Sequence, residues 1–306
     1  MASYIGIDTS NYRTSVCILF EDGYKNVGRL LPVEQGKAGL RQSDALFLHT
    51  RALPEVLAEL PKAESIAKIG VSTRPRDEKG SYMPCFLAGA ASARSMAYAS
   101  GAPVYETSHQ AGHTLAGIYE NKELLSMPEF ITVHLSGGTS EILHVKNDMG
   151  ALNIIRIGGT LDINAGQLID RAGVMLGLRF PCGAELEELA KGCPTDDIKV
   201  KTSVKGTYFN LSGHQNIIEK MFGSGEEPKK IASYAIKAVT DTILSALNNQ
   251  KTRLPVLFVG GVSANGYLRE VMKRELSYVY FVSPALSGDN ALGCAYGAYL
   301  SDVRRK

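Results

Sequence analysis

Short apolar segments of strand length alternate with helical segments along most of the chain. Residues 4–20 contain two apolar stretches around a small polar centre, which predicts two strands joined by a turn. Residues 129–146 repeat this layout, so an internal duplication of the architecture is predicted. The same patterns predict helices at 44–60, 86–100, 109–120, 228–250 and 290–301, and two helical stretches within 170–190. They predict strands at 66–73, 103–108 and 279–284. Residues 254–272 are predicted to form a strand, a Gly-Gly turn and a helix.

Composition narrows the class of protein without identifying it. The 306 residues suit two domains, and 44% apolar with 21% charged residues is typical of a globular protein. No apolar run reaches the roughly 18 residues that a membrane-spanning helix needs, and the first residues do not have the pattern of a signal peptide. We therefore expect a cytoplasmic protein without membrane contact. The net charge of +2 is too small to indicate nucleic-acid binding by itself.

The five cysteines are widely spaced and form no CxxC pair. This spacing argues against a disulfide framework and against a cysteine zinc site. We expect most of them to be small buried residues.

Three glycine- or hydroxyl-rich turns are candidates for phosphate or nucleoside binding. They are Asp8-Thr9-Ser10, residues 136–140 (SGGTS) and residues 259–265 (VGGVSAN). Glycine lets backbone N–H groups approach phosphate oxygens, and a carboxylate at a strand end can hold a hydrated Mg²⁺. Each turn alone is more often an ordinary tight turn, and Asn265 can either cap a helix or bind a ribose. Neither a GxxxxGK[ST] loop nor a GxGxxG motif after a strand is present.

His109 and His113 stand four residues apart in a predicted helix, which places both imidazoles on one face. They are candidate metal ligands or an ordinary histidine pair. Asp289 is a candidate third ligand, and it is also placed to cap the following helix, a role compatible with metal ligation. Two histidines and one carboxylate leave coordination positions open and suit Fe or Zn.

The order HxxxH, SGGT, TLDINAGQLIDRAGVMLGLRFPCG, GGVSAN and SGDNA resembles the tRNA threonylcarbamoyladenosine synthase family. The resemblance covers about 180 residues, and the segment 160–183 is its most specific part. It implies an α/β fold of the actin, Hsp70 and sugar-kinase type, with two ribonuclease-H-like domains and a nucleotide and metal cleft between them. We expect residues 1–107 plus 291–306 to form the first domain and residues 108–290 the second.

The resemblance also implies roles for individual residues. The implied metal ligands are His109, His113 and Asp289. Asp8 and Ser136 are the implied catalytic residues, the latter in a loop whose backbone donors stabilise oxyanion charge. The implied nucleotide-binding residues are Leu135, Ser136, Gly137, Gly138, Thr139, Asp170, Gly183, Gly260, Gly261 and Asn265. From the residues alone, an ion pair of Asp170 with Arg171 or a neighbour is the favoured interpretation.

The implied reaction is transfer of a threonylcarbamoyl group from threonylcarbamoyl-AMP to the exocyclic amine of the adenosine beside the anticodon of tRNA. The implied cofactors are one Fe or Zn ion and ATP, AMP or threonylcarbamoyl-AMP, with Mg²⁺ as a possible companion. The implied partners are tRNA and accessory proteins, among them an ATPase and a catalytically silent paralogue, or a second subunit in a homodimer or heterodimer.

Several positions differ from the family pattern and keep other functions open. The differences lie in residues 8–14, in Thr139, in the charged loop 74–80 and in residues 180–184. They are consistent with a divergent paralogue that binds nucleotide and metal as an ATPase or regulator without modifying tRNA. A metallopeptidase is a weaker alternative, because Gln110 stands where a zincin has its general-base glutamate. A small-molecule kinase would not need the paired histidines.

Overall fold

The computed structural model describes residues 2–10, 12–32, 40–195, 197–250 and 253–304. The strands are β1 Ala2–Ser10, β2 Arg13–Leu19, β3 Tyr24–Leu30, β4 Ser65–Arg74, β5 Val104–Ser108, β6 Glu129–Leu135, β7 Ser140–Asp148, β8 Ala151–Thr160, β9 Ser203–Lys205, β10 Tyr208–Asn210, β11 Val256–Val259 and β12 Val279–Phe281. The helices are α1 Gln42–Ala58, α2 Phe86–Ser100, α3 His109–Glu120, α4 Ala165–Met175, α5 Gly183–Ala190, α6 Ser212–Gly223, α7 Pro228–Asn248, α8 Gly266–Glu275, α9 Pro284–Ser287 and α10 Leu292–Val303.

The chain divides into two compact units. Unit 1 contains residues 1–128, 146–154 and 289–306, and unit 2 contains residues 129–145 and 155–288. The predicted division placed residues 108–290 in the second domain. The structure instead places α3 and Asp289 in unit 1, because α3 packs against α10.

Unit 1 is built on a five-stranded sheet of order β3-β2-β1-β4-β5. The first three strands are antiparallel neighbours, whereas β4 runs parallel to β1 and β5 runs parallel to β4. Alternating apolar residues of β1, β2 and β4 form the core with α1 and α2, and Ile7, Val16 and Ile69 are fully buried in it. The three parallel strands bring their carboxyl ends to one edge of the sheet.

Helix α10 closes unit 1, since it packs on β1, β2, β4 and β5 and against α3. Helices α10 and α3 contact each other through their backbones. A side chain at Gly293 would place its Cβ 1.8 Å from the carbonyl oxygen of Gly112, so only glycine fits there. This close approach fixes the position of Asp289, which precedes α10, relative to the histidines of α3.

Unit 2 repeats the same strand order with additions. Its seven-stranded sheet has the order β12-β11-β6-β7-β8-β10-β9, of which β8-β7-β6-β11-β12 corresponds to the five strands of unit 1. A core of apolar residues from β6, β11, α4 and α7 includes Val133, Leu168 and Phe258. The predicted pair of ribonuclease-H-like α/β domains is therefore confirmed. No helix in the described part of the chain is long and apolar enough to cross a membrane.

The predicted elements are all present, with small shifts at their ends. The pattern analysis did not predict β3, β8, β9, β10, α6 and the short α9. Strands β3 and β8 carry few buried apolar residues. All five cysteines are free and Cys193 alone among them is not buried, as expected.

Candidate metal site and nucleotide cavity

Three neighbouring strands of unit 1 bring polar side chains to the same edge of the sheet. Asp8 lies near the end of β1, Ser72 near the end of β4, and β5 passes directly into α3. The side chain of Ser108 caps α3 by accepting a hydrogen bond from the N–H of Ala111 at 3.0 Å. His109 is therefore the first residue of the helix, and its ring is directed toward the strand ends.

His109, His113 and Asp289 form a group of three side chains suited to hold a metal ion. The Nε2 atoms of the two histidines are 3.2 Å apart. The Oδ1 atom of Asp289 lies 3.5 Å from Nε2 of His109 and 3.4 Å from Nε2 of His113. The three predicted ligands thus converge at one point within unit 1.

These separations fit a bound divalent ion. Three ligand atoms that each lie about 2.1 Å from one ion, at angles between roughly 90° and 110°, stand about 3.0–3.4 Å from one another. Two imidazoles and a carboxylate on one side of an ion also leave its other side open to substrate or water. His109, His113 and Asp289 would be the protein ligands.

Asp8 stands behind His109 and is almost completely buried, with 1% of its surface exposed. Its Oδ1 atom lies 3.1 Å from Nδ1 of His109 and accepts a hydrogen bond from Ser72, while Oδ2 accepts one from Ser10. A His109 that donates its Nδ1–H to Asp8 directs the lone pair of Nε2 toward the metal position. Asp8 is thus placed to orient His109, and the catalytic role predicted for it stays a prediction.

The charges of the site favour a cation between the carboxylates. Burial alone would lower the pKa of His109, but Asp8 and Asp289 outweigh it and raise the pKa to about 10. Burial alone would raise the pKa of Asp289, but the hydrogen bonds from His109 and His113 hold it well below its usual range. For Asp8, burial is likewise opposed by His109 and Ser10, and the net pKa is lowered. The positive charge that the carboxylates require can be supplied by a proton or by a metal ion.

Asp289 does not cap α10, so the capping role predicted for it is not seen. The helix begins at Leu292 with Ala291 as its N-cap residue, and the backbone N–H of Leu292 donates to Oδ1 of Asn290 at 3.1 Å. Asp289 directs its carboxylate toward the two histidines instead.

Unit 2 contains a cavity of about 360 Å³, a size typical of small-molecule sites. Apolar residues of α4, α7 and α8 form much of its wall, and a few polar groups converge on it. Five of the predicted nucleotide-binding residues line it, namely Gly137, Asp170, Gly183, Gly261 and Asn265. A mostly apolar cavity with a rim of glycines suits a flat base with its ribose and phosphates.

The remaining predicted nucleotide-binding residues are not among those that line the cavity. Leu135 is fully buried at the end of β6. Gly260 has a φ of +89°, and a Cβ there would lie 2.3 Å from the carbonyl oxygen of Leu135. In the turn that follows β6, the N–H of Ser136 donates to the carbonyl of Thr139 at 2.7 Å, and the N–H of Gly138 donates to Oγ of Ser136 at 3.3 Å. These two hydrogen bonds close the turn. They do not test the catalytic role of Ser136, which stays a prediction.

Gly166, in the first turn of α4, holds the glycine turn in place. Its N–H donates to the carbonyl of Ser136 at 3.2 Å, and a Cβ at this position would lie 2.6 Å from the nitrogen of Gly137. There is no room for a methyl group unless the turn moves, because the obstructing atoms belong to the backbone.

We expect Gly166→Ala to weaken adenine-nucleotide binding by about tenfold, because a displaced turn costs about 1–3 kcal/mol. Gly213→Ala is the matched control, since Gly213 also lies in the first turn of a helix of unit 2 and a Cβ there meets no atom within 4 Å. Isothermal titration with ATP and AMP measures both. Equal nucleotide affinity in the two variants would show that the turn between β6 and β7 does not contact the nucleotide.

Asp170 does not pair with Arg171, which donates to Gln215 instead. Its Oδ1 accepts the backbone N–H of Cys182 at 2.8 Å, while its burial raises the carboxyl pKa. This bond joins α4 to the segment before α5, at the cavity wall. Asn265 caps α8 through its side-chain oxygen, which accepts from Leu268 at 3.0 Å. Capping does not exclude a contact between Asn265 and a ligand, because the residue also lines the cavity.

The cavity residues that the sequence analysis missed include Gly166, Glu187 and Thr240. Glu187 accepts the N–H of Gly266 at 2.8 Å, at the start of α8. Its position four residues after Gly183 places both on one face of α5, which is a signal that could have identified it. Thr240 lies among apolar residues of α7 and carries no comparable signal.

Comparison with known proteins identifies the family of this chain. Residues 48–296 match the family model described as TsaD, tRNA N6-adenosine threonylcarbamoyltransferase. The chain belongs to this family. The family resemblance and the transferase class predicted from the sequence motifs are thereby confirmed.

Two curated relatives named tRNA N6-adenosine threonylcarbamoyltransferase match over nearly their full lengths. The protein of Methanopyrus kandleri is 24% identical over 97% of this chain and 86% of its own length. That of Neorickettsia sennetsu is 26% identical over 96% of this chain and 92% of its own length. Component A of (R)-2-hydroxyglutaryl-CoA dehydratase from Acidaminococcus fermentans has the same fold, with a TM-score of 0.56, 16% identity, and 99% and 100% of the two chains covered.

Proposed function

We propose that this protein transfers the threonylcarbamoyl group of threonylcarbamoyl-AMP to N6 of the adenosine beside the anticodon of tRNA, in a reaction that depends on a divalent metal ion. The observation that carries the proposal is the convergence of His109, His113 and Asp289 in a chain that belongs to the threonylcarbamoyltransferase family. The cavity of unit 2, with its glycine rim, supports the nucleotide part of the proposal.

The reaction is an acyl transfer. The lone pair of N6 attacks the carbonyl carbon of the donor and forms the new C–N bond. The C–O bond to the phosphate then breaks, AMP leaves with the bonding electron pair, and one N6 proton passes to solvent. An Fe or Zn ion held by His109, His113 and Asp289 would supply Lewis-acid stabilisation of charge on a donor oxygen.

The residues of the chain contribute binding and orientation. The glycine turn after β6 and the start of α8 would hold the phosphate and ribose of the adenylate, while Ile169, Val239 and Leu268 would exclude water from the base. Asp8 would keep Nε2 of His109 directed at the ion. Holding the donor in one orientation lowers the entropic part of the barrier.

The test is a transfer assay with the purified chain, synthetic threonylcarbamoyl-AMP and an unmodified tRNA transcript, with Fe²⁺ or Zn²⁺ added. Nucleoside mass spectrometry is expected to detect threonylcarbamoyladenosine, and a transcript with guanosine at the target position is expected to give none. The assay is repeated with the accessory ATPase and silent paralogue that the family resemblance implies. Metal and nucleotide binding without any product in both formats would reject the transferase and favour a nucleotide-binding paralogue.

A further inference from the structure

In residues 198–205 of unit 2, every second residue is exposed, and three of the four exposed residues are lysines. From Ile198 to Lys205 the residues alternate between the interior and solvent. Ile198 is buried, and Val200 and Val204 pack against the core of unit 2. Lys199, Lys201, Ser203 and Lys205 are exposed, so the three lysines share one face.

This segment leads into β9, the strand at the outer edge of the seven-stranded sheet. β9 pairs with β10, and Lys205 stands directly opposite Tyr208. The Tyr208 ring is 37% exposed, and the guanidinium of Arg156 lies 6.0 Å from its centre. We call Lys199, Lys201, Lys205, Tyr208 and Arg156 the lysine face.

The lysines of this face lack the ion pairs that three other exposed lysines of unit 2 form. Lys191, Lys229 and Lys230 each lie within about 3 Å of a glutamate oxygen. Lys199, Lys201 and Lys205 make no ion pair with any residue that the structure describes. Asp197 precedes the row, and the Nε atom of Arg156 lies 3.8 Å from Glu141. The row itself therefore presents uncompensated positive charge.

We propose that the lysine face binds the phosphate backbone of the tRNA substrate. The proposal rests on the proposed function and adds the surface on which the RNA is held. Alternate residues of a β-strand are about 6.6–6.8 Å apart, and Lys205 lies in the strand β9 at the end of the row. This spacing is comparable to that of successive phosphates along a nucleic-acid strand. The exposed ring of Tyr208, with Arg156 beside it, offers a stacking platform for an unpaired base next to that backbone.

Lysines at a sheet edge also have a simpler use, because charge on an edge strand prevents pairing with another chain. That use requires no RNA and predicts aggregation when the charges are removed. Backbone binding instead predicts a loss of tRNA affinity with a change in its salt dependence. The two explanations are therefore separable by measurement.

The experiment measures binding of fluorescently labelled unmodified tRNA by anisotropy, over a range of KCl concentrations, with the full chain. The test variant is Lys199→Gln/Lys201→Gln/Lys205→Gln, and the charge-preserving variant replaces the same three residues with arginine. The control is Lys191→Gln/Lys229→Gln/Lys230→Gln, which removes the same number of charges from paired lysines of the same unit. ATP titration and size-exclusion chromatography verify the folding and monodispersity of each variant.

The glutamine variant is expected to bind tRNA about 10–100-fold more weakly, with the slope of log K against log salt smaller in magnitude by about 2–3. The arginine variant and the control are expected to bind as the wild type does. If the glutamine variant binds tRNA normally while the wild type modifies it, the lysine face is not the RNA site and the proposed function stands. If the wild type neither binds nor modifies tRNA, both proposals are overturned.

Discussion

Purified His113→Ala is expected to contain less than about one-tenth of the metal found in the wild type and to show no measurable transfer. His113 is one of three protein ligands, and its Nε2 lies 3.2 Å and 3.4 Å from the other two ligand atoms. Loss of an outer partner of a metal ligand already reduces affinity about 10–100-fold, so loss of a ligand is expected to reduce it by more than 100-fold. Plasma emission spectrometry measures the metal, and nucleoside mass spectrometry measures the product.

His144→Ala is the control for this experiment, because His144 lies in unit 2 and its ring contacts Glu129 at 2.8 Å. It is expected to retain the full metal content. Circular dichroism and ATP titration report on the fold of both variants. A His113→Ala protein that keeps stoichiometric metal would mean that the ion binds elsewhere and that the paired histidines have only a structural role.

Asp8→Asn is expected to weaken metal binding by about 10–100-fold while tRNA affinity remains unchanged. The amide keeps the shape of the side chain but loses the negative charge that holds Nδ1–H of His109. Without that partner the imidazole is free to change tautomer or orientation, and its Nε2 is no longer committed to the ion. Competition with a fluorescent chelator gives the metal affinity, and the absorption bands of the Co²⁺-loaded protein are expected to shift.

Glu106→Gln provides a control in the same unit, since Glu106 is an exposed carboxylate paired only with Arg94 at 2.8 Å among the described contacts. It is expected to match the wild type in both measurements. A different result for Asp8→Asn would be equally informative. Unchanged metal affinity and an unchanged Co²⁺ spectrum, together with lost transfer, would mean that Asp8 acts on the substrate as a catalytic residue and not through His109.

The metal site was predictable because two of its ligands are close in sequence. The spacing of His109 and His113 on one helix determines that both rings face the same side. Asp289 was found through its motif, since nothing in the spacing of residues 113 and 289 shows that α10 packs against α3. The contact between Asp8 and His109 could not be predicted, because it depends on the parallel pairing of β1, β4 and β5.

The nucleotide cavity was predictable only in part. Its glycines were recognisable in the sequence because glycine-rich turns let the backbone approach a ligand closely. Ile169 and Val239, in contrast, look like ordinary core residues of amphipathic helices. Strands β9 and β10 were missed because each has only three residues, too few for a periodic pattern to be recognised. The alternation that marks the lysine face begins before β9 and is visible in residues 198–205 (IKVKTSVK), but the sequence analysis did not recognise it.

The placement of α10 has a consequence for biosynthesis. The two histidines are translated far ahead of Asp289, and β1, β4 and α3 lack their covering helix until α10 has left the ribosome. A nascent chain that ends before Asp289 therefore offers two imidazoles and no third ligand, together with an uncovered apolar surface. We therefore expect the proposed metal site to form only late in synthesis, and we expect chains interrupted before this helix to be prone to aggregation or degradation.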